Sequence, residues 1–178
     1  MNVIHRMFVY RQQTENCEPI TKPGVEFAHV GEDEILEQRH LPDDIFGRQI
    51  DRLQRFGASY CYGAYVDGKL AAFAWLIPHE LMPRDVPHLL SGKPGEAELT
   101  AGETVPDYRG RRLHGFVMAN CFWAAREIGI HTVLFKTFPS NEAALRSFER
   151  IGGKRIGTTY FTFVPGLKSP LAWPRRFT

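Results

Sequence analysis

An almost unbroken apolar segment, residues 70–77, constrains the fold of this chain more than any other feature. The dipeptide Asp67-Gly68 precedes it and favours a type I′ turn, and the strand-like segment 59–66 lies on the other side of that turn. A strand that is apolar on both sides needs cover on both faces of its sheet, so the segment predicts a central strand. The hairpin therefore predicts a sheet that lies between layers of helices.

Hydrophobic periodicity predicts four helices and five further strands around this hairpin. The helices are expected at residues 32–38, 43–56, 109–128 and 140–151, with Asp43 or Asp44 capping the second and Ser140 capping the last. The strands are expected at residues 3–10, 25–30, 96–105, 131–138 and 156–164. This order mixes hairpins with strand–helix–strand crossovers. It predicts a mixed α/β (α+β) fold in which a strongly twisted mixed sheet of about six to seven strands is flanked by helices on both faces.

The length of 178 residues suits one domain that can bury a sufficient core without disulfide or metal staples. We assign residues 25–164 to that domain. Residues 1–24 are interpreted as an N-terminal extension that can add a strand, and residues 165–178 as a C-terminal tail.

Charge and cysteine content exclude several classes of function. The 22 Lys and Arg nearly balance the 20 Asp and Glu, whereas a protein that binds nucleic acid through bulk charge has a strong basic excess. The three cysteines, Cys17, Cys61 and Cys121, lie far apart, which argues against a zinc site or a disulfide framework. The start of the chain lacks the apolar core of a signal peptide, and no apolar run is long enough to span a membrane. We therefore expect a cytoplasmic protein with no metal, nucleic-acid or membrane partner.

Residues 104–115 carry the clearest chemical signal in the chain. They read as the end of a strand, a turn that contains Gly110, and the start of a long helix. A helix start offers unpaired N–H groups and a partial positive charge, and Gly110 lets the backbone approach a ligand closely. The adjacent Arg109, Arg111 and Arg112 add positive charge and forked hydrogen-bond donors. The segment predicts an anion site suited to a diphosphate, although a basic triplet can also be a solvated helix start.

This segment resembles the turn of the GNAT family of N-acetyltransferases, which follows the pattern Gln/Arg-x-x-Gly-x-Gly/Ala. Arg109 matches the first position, whereas Arg112 and His114 stand where the family has two small residues. The resemblance implies a GNAT-like fold whose turn holds the pyrophosphate of acetyl-coenzyme A through backbone N–H groups. The residues that it assigns to the cofactor here are Thr104, Val105, Arg109, Gly110, Arg111, Arg112, Leu113, His114 and Gly115.

A second motif supports the resemblance. Asn141-x-x-Ala144-x-x-x-Phe148-Glu149-x-x-Gly152 is similar to a family helix with the pattern Asn-x-x-Ala-x-x-x-Tyr-Glu-x-x-Gly. The family likeness implies cofactor contacts at Asn141, Ala144 and Phe148. It also implies that the tyrosine acid, which often protonates the leaving thiolate in the family, is absent here, because Phe148 has no hydroxyl. Asn141 can equally serve as part of a helix start.

Two glutamates are candidates for the general base. Glu98 lies eleven residues before Arg109, a spacing similar to that of the base in some branches of the family. Glu103 is the competitor, and simple alternation of side chains along a strand places it on the opposite face from Glu98. Glu98 can also be an ordinary strand residue paired with a Lys or Arg.

The resemblance implies transfer of an acetyl group from acetyl-coenzyme A to a primary amine of a small polar acceptor, with a carboxylate as general base. It also implies a splay between two strands that admits the pantetheine arm. A catalytically silent acyl-coenzyme A binder and a nucleotide-phosphate-binding domain stay open as alternatives, and so does a homodimer. Residues 31–57 and 78–95 are expected to flank the acceptor, with polar side chains at Glu32, Asp33, Glu34, His79, Glu80, Arg84, Asp85 and His88.

Overall fold

A computed structural model describes residues 4–82 and 93–162, together with the backbone of residues 171–172 and 176–177. The strands are β1 (Ile4–Gln13), β2 (Val25–His29), β3 (Cys61–Val66), β4 (Lys69–Pro78), β5 (Glu96–Thr104), β6 (Thr132–Thr137), β7 (Lys154–Thr162), β8 (Leu171–Ala172) and β9 (Arg176–Phe177). The helices are α1 (Glu32–Leu36), α2 (Asp43–Phe56), α3 (Leu113–Glu127) and α4 (Glu142–Arg150).

The strands form one mixed sheet in the order β2-β3-β4-β5-β6-β1-β7-β8, with β9 also paired to β7. Only β5 and β6 run parallel among these pairs, and α3 connects them as a crossover helix. Seven long strands with helices on both faces confirm the predicted fold class. The strand predicted near the N-terminus is not peripheral, because β1 lies inside the sheet between β6 and β7. Residues 4–13 thus supply an internal strand of the sheet, whereas the sequence set residues 1–24 apart as an extension.

The hairpin that dominates the sequence forms β3 and β4. Asp67 and Gly68 both take positive φ, 51° and 72°, as a type I′ turn requires. β4 lies between β3 and β5, and residues 71–77 are all buried. The doubly covered central strand is therefore present as predicted.

Each face of β4 contributes to a different part of the core. On one face Ala72, Ala74 and Leu76 belong to the cluster that contains α3 and α4 residues. On the other face Phe73, Trp75 and Ile77 pack against α2 and the segment before it. The two helical layers thus define an α3/α4 face and an α2 face of the sheet.

Three helix starts differ from the sequence predictions. The cap of α2 is Pro42, with no side-chain cap, instead of Asp43 or Asp44. α3 begins at Leu113, and not at Arg109, because Arg112 takes the left-handed conformation and a short 3-10 helix, Pro106–Tyr108, precedes it. The cap of α4 is Asn141, whose Oδ1 accepts a hydrogen bond from the N–H of Ala144 at 3.1 Å, a geometry that Ser140 is one residue too early to make.

A β-bulge in β5 changes which face its side chains occupy. Trp75 pairs with Thr100 and Phe73 pairs with Glu103, so two residues of β5, 101 and 102, stand opposite one residue of β4. Ala101 takes a positive φ of 51° at this point. The extra residue reverses the alternation, so Glu103 lies on the α2 face together with Glu98. The prediction that the two glutamates occupy opposite faces is wrong for this reason.

The same region ends the contact between β5 and β6. Their pairing runs from Glu96–Thr132 to Leu99–Phe135 and stops there. Beyond it, β5 pairs with β4, and Lys136 and Thr137 pair with β1. The two strands therefore splay apart from residue 100 onwards.

The bulge predicts how stability responds to substitution at Ala101. A left-handed residue with a Cβ costs roughly 1–2 kcal/mol, and a β-branched side chain fits that conformation worse. We expect Ala101→Val to lower the free energy of unfolding by at least about 1 kcal/mol, and Ala101→Gly to keep or raise it. Chemical denaturation of the three chains measures this, and equal losses in both variants would contradict the bulge.

Candidate active site

A cavity of about 780 Å³ occupies the splay between β5 and β6. Its floor is formed by residues 99–102 of β5 and 136–137 of β6. On the α3/α4 face it is lined by side chains from both of those helices, and on the α2 face by α2, β1 and β7. The opening in the sheet thus joins a site on one face to a site on the other.

Four residues that the sequence assigned to the cofactor line this cavity, namely His114, Asn141, Ala144 and Phe148. Phe148 is buried, and its ring meets that of Phe135 edge-on at 4.7 Å. The position offers no hydroxyl to a leaving group, as the sequence implied. The rest of this wall is apolar or small, since Ala74, Leu99, Gly102 and Met118 complete it.

His114 is turned inward, away from the turn that precedes α3. Its Nδ1 lies 3.1 Å from Ser147 Oγ, and its ring stacks on Phe148 at 6.1 Å. A Cβ built at Gly102 would lie 3.1 Å from His114 Nε2, so the imidazole approaches the bulge of β5 closely. Burial lowers the pKa of His114, so the ring is neutral at pH 7.

The predicted anion site lies outside the cavity, at the exposed start of α3. Arg109, Gly110, Arg111 and Arg112 are all exposed. Arg109 Nε donates to the carbonyl oxygen of Thr104 at 3.2 Å, and the Arg111 guanidinium lies 5.3 Å from the Tyr108 ring. The turn therefore presents a helix start and three guanidinium groups to solvent, which suits a polyphosphate.

Two residues of the turn before α3 take the left-handed backbone conformation. Gly110 has a φ of 79° and Arg112 a φ of 59°, so an arginine takes the left-handed conformation at the position where the family pattern has Gly. Its exposed side chain makes that exchange sterically feasible. Val105 and Leu113 are buried, and a Cβ at Gly115 would meet Ser147 Oγ at 3.1 Å. These three residues pack the fold, and only their backbones are available to a ligand.

Glu98 is fully buried and forms an ion pair with Lys136. Lys136 lines the cavity from β6, its side chain only 9% exposed. A buried pair of this kind is destabilised strongly when one partner is removed, because the other charge is left uncompensated. Glu98 thus has a structural partner of the kind that the sequence left open.

Glu103 lies at the rim of the α2 face, its side chain 20% exposed. Its Oε1 is 3.8 Å from Arg48 Nη2. Burial raises the pKa of Glu103, and the opposing charges of Arg48 and Arg109 limit the increase. A carboxylate with a raised pKa and some access to solvent is suited to accept a proton.

The acceptor-side residues differ from those that the sequence singled out. None of Glu32, Asp33, Glu34, His79 and Glu80 lines the cavity, and Arg84, Asp85 and His88 lie outside the described residues. The segment 31–57 contributes instead through α2, whose Asp44, Gly47, Arg48, Asp51 and Arg52 face the opening.

Arg52 is a buried residue of the cavity lining that the sequence patterns did not single out. The most buried side chains of α2 are the polar Gln49 and Arg52, which lie on the face that covers β4. Gln49 Oε1 accepts a hydrogen bond from Trp75 Nε1 at 2.7 Å. The available signal was the spacing, because Gln49 and Arg52 follow Ile45 by four and seven residues and so share its helix face.

No helix in the described part of the chain is long and apolar enough to cross a membrane. The same residues contain no group of three or more His, Cys, Asp and Glu side chains that could hold a metal ion.

The buried imidazole predicts a specific dependence of stability on pH. Because the pKa of His114 is lowered from 6.5 in the folded chain, the unfolded chain binds a proton that the folded chain does not. The free energy of unfolding therefore has its full value above pH 6.5 and decreases as the pH falls through the lowered pKa. Melting temperatures between about pH 5 and pH 8 should therefore fall less steeply at the acid end in His114→Asn than in the unchanged chain. His40→Asn removes an exposed imidazole and serves as the control, and parallel curves for all three chains would contradict the prediction.

Solved structures with the same fold are numerous, although the sequence has no significant match among curated proteins. A GNAT-family putative acetyltransferase from Novosphingobium aromaticivorans superposes with a TM-score of 0.62 at 20% identity, over 91% of this chain and 65% of that one. A GCN5-related N-acetyltransferase from Kribbella flavida superposes with a TM-score of 0.59 at 17% identity, over 93% of this chain and 61% of that one. The glucosamine N-acetyltransferase region of a fungal multi-domain β-N-acetylglucosaminidase superposes with a TM-score of 0.71 at 10% identity, over 97% of this chain and 21% of that one.

These identities show the fold alone, and the chain spans less than two thirds of the length of each of these structures. The family model for the acetyltransferase (GNAT) family matches residues 28–153, more than half of the chain. That range contains the bulge of β5, the turn before α3 and the whole of α4. The chain belongs to the acetyltransferase (GNAT) family.

Proposed function

We propose that the chain transfers an acetyl group from acetyl-coenzyme A to a primary amine of a small acceptor by direct attack. The observation that supports this most is the cavity in the splay of β5 and β6. It joins the α3/α4 face, where four of the expected cofactor residues meet, to a separate polar site on the α2 face. Two substrates that enter from opposite faces could meet at the bulge of β5.

The residues on the α3/α4 face fit an acyl-coenzyme A. The start of α3 with Arg109 and Arg111 would hold the phosphates, and the small and apolar wall of the cavity would accept a pantetheine arm. Asn141 caps α4 through its Oδ1, which leaves its amide N–H groups for a ligand. A bulge leaves one residue outside the strand ladder, so backbone N–H groups near Ala101 would stabilise negative charge on the thioester oxygen.

Glu103 is the preferred general base. An alkyl amine with a pKa near ~10.4 is almost fully protonated at neutral pH and cannot attack until it loses a proton. Glu103 lies on the same face as the acceptor site, is partly open to solvent and has a raised pKa. Glu98 is less suited, because it is fully buried and paired with Lys136. The proton would reach Glu103 directly or through one water.

The missing tyrosine is compatible with this mechanism. A thiol has a pKa near ~8.5, so a thiolate can leave without prior protonation. His114, which lies beside Phe148, is neutral and brings no competing charge to the apolar wall. Phe148 is also the observation that favours the second candidate, a catalytically silent acyl-coenzyme A binder. That protein would bind the cofactor and release no thiol with any amine.

Cofactor binding is tested by the melting temperature in the presence of acetyl-coenzyme A, ATP or NAD. At 100 times its dissociation constant a ligand adds about 2.7 kcal/mol of stability, which for a domain of this size is roughly 5–11 °C. We expect that shift with acetyl-coenzyme A alone. Arg109→Ala and Arg111→Ala should each weaken binding about tenfold or more, because each removes charged donors, while Arg55→Ala on α2 should not. A shift with nucleotides instead would contradict the proposal.

The base is tested by replacing each glutamate with its amide. Glu103→Gln should lower the rate of amine acetylation about 10²–10⁴-fold and abolish the fall of activity as the pH drops through the raised pKa of Glu103. Because burial disfavours the ionised form, this variant should also melt no lower at neutral pH than the unchanged chain. Glu98→Gln should melt lower, because it leaves Lys136 without its carboxylate. Full activity in Glu103→Gln, with a folded but inactive Glu98→Gln, would move the role to Glu98.

A further inference from the structure

Arg52 places a buried guanidinium against the cavity on the α2 face. The residue is only 9% exposed and lines the opening between α2 and the splay. Its Nη1 donates to the carbonyl oxygen of Arg48 at 3.0 Å, and its Nη2 reaches Thr100 Oγ1 at 3.4 Å. Its Nε is buried and has no hydrogen-bond partner in the part of the chain that the structure describes. An unpaired buried donor of this kind is stabilised when a ligand supplies the acceptor.

The carboxylates near Arg52 have other partners. Glu98 is paired with Lys136 on the floor of the cavity, and Asp51 is paired with Arg55. Asp44 and Glu103 both lie within reach of Arg48. Arg52 itself makes no direct ion pair with the described residues, although the charges of Glu98 and Asp51 oppose the lowering of its pKa by burial. A ligand carboxylate would give its guanidinium a direct ion-pair partner.

A cluster of three rings forms another part of the cavity wall. His5 stacks on Phe161 at 5.1 Å and meets Phe138 edge-on at 6.2 Å. Register places the cluster on the α2 face, because Val9 pairs with Lys136 and His5 precedes Val9 by four residues, an even spacing. Phe138 is 40% exposed although it lines the cavity. We call these three residues the aromatic wall.

We propose that the acceptor is a small amino carboxylate with an apolar or aromatic side chain, whose carboxylate pairs with Arg52 and whose side chain packs on the aromatic wall. This assignment rests on the proposed acetyl transfer and names its substrate class. A carboxylate accepts the forked donors of a guanidinium in a fixed geometry. Thr100, which contacts Arg52, directly precedes the bulge where the thioester would lie. An amine on the α or β carbon of the acceptor would therefore be close to the reacting carbon.

Other amine acceptors fit this site less well. A polyamine would add positive charge next to Arg52 and would bring no carboxylate to its guanidinium. A lysine side chain within a protein or a peptide N-terminus lacks a free carboxylate beside the amine. Both would leave the buried guanidinium unpaired.

The test compares phenylalanine with phenethylamine, which is the same molecule without the carboxylate. Calorimetric titrations are run with and without coenzyme A. The chain should bind phenylalanine at least about tenfold more tightly than phenethylamine. In Arg52→Met the ratio of these two affinities should fall to about threefold or less. Arg55→Met, which removes the same charge one turn along α2 but away from the cavity, should retain it.

Folding of the variants does not limit this experiment. Because Arg52 makes no direct ion pair with the described residues, Arg52→Met leaves no carboxylate without its closest cation and should fold. Arg52→Lys keeps the charge but loses the fork, and it should retain part of the preference. If neither variant folds, the ratio of the affinities of the unchanged chain for phenylalanine and phenethylamine still tests the proposal. Equal affinity for both compounds, or no binding of phenylalanine at millimolar concentration, overturns the proposal.

A separate measurement tests the role of the aromatic wall. Phe138→Ala should weaken the binding of phenylalanine several-fold and leave the binding of alanine unchanged, because only the larger side chain reaches the wall. Equal effects on both amino acids would remove the wall from the proposal.

Failure of this inference can be told apart from failure of the transferase function. If acetyl-coenzyme A binds and phenethylamine is acetylated in preference to phenylalanine, the function stands and the carboxylate site is overturned. If acetyl-coenzyme A gives no melting shift while phenylalanine binding depends on Arg52, the carboxylate site stands and the transferase function is overturned.

Discussion

The bulge at Ala101 is the constraint on which the rest of the site depends. One extra residue in β5 reverses the alternation of its side chains, and the pairing of β5 with β6 ends two residues earlier. The reversal brings Glu98 and Glu103 to one face, and the separation opens the cavity between the two helical layers. A left-handed residue costs roughly 1–2 kcal/mol, which is small beside the burial of β4 on both of its faces.

Local signals were sufficient to predict much of the fold and part of the site. The Asp67-Gly68 turn and the apolar strand after it determine a doubly covered hairpin, and the motif around Asn141 and Phe148 predicts residues that the structure brings to one wall. The face of Glu103 could not be predicted, because alternation holds only in an unbroken strand and nothing in the residues 100–104 announces a bulge. Arg52 was missed for a different reason. Its surroundings include β5, whose Thr100 lies 48 residues further along the chain and meets Arg52 only in the folded sheet.

The departures from the family pattern compensate one another in space. His114 stands where the family has a small residue, and it fits because Gly102 has no side chain and because Ser147 offers a small hydrogen-bonding partner on α4. Its ring then stacks on Phe148, which has no hydroxyl to hydrogen-bond. Arg112 is tolerated for a separate reason, since its side chain is exposed while its backbone keeps the left-handed conformation of a glycine. The altered positions thus preserve the path of the backbone and change the chemistry of the wall.

The two faces of the site use positive charge in opposite ways. At the start of α3 the arginines are exposed, so water solvates them before a ligand arrives and salt screens them. On the α2 face the single guanidinium of Arg52 is already desolvated, and its burial lowers the pKa of that group. Arg52 therefore carries a desolvation cost that a direct ion pair with a ligand carboxylate would reduce. A ligand that binds only the folded chain shifts folding in its favour. Binding of the acceptor carboxylate would therefore stabilise the domain as well as orient the amine, because the same contact gives the desolvated guanidinium a direct ion-pair partner.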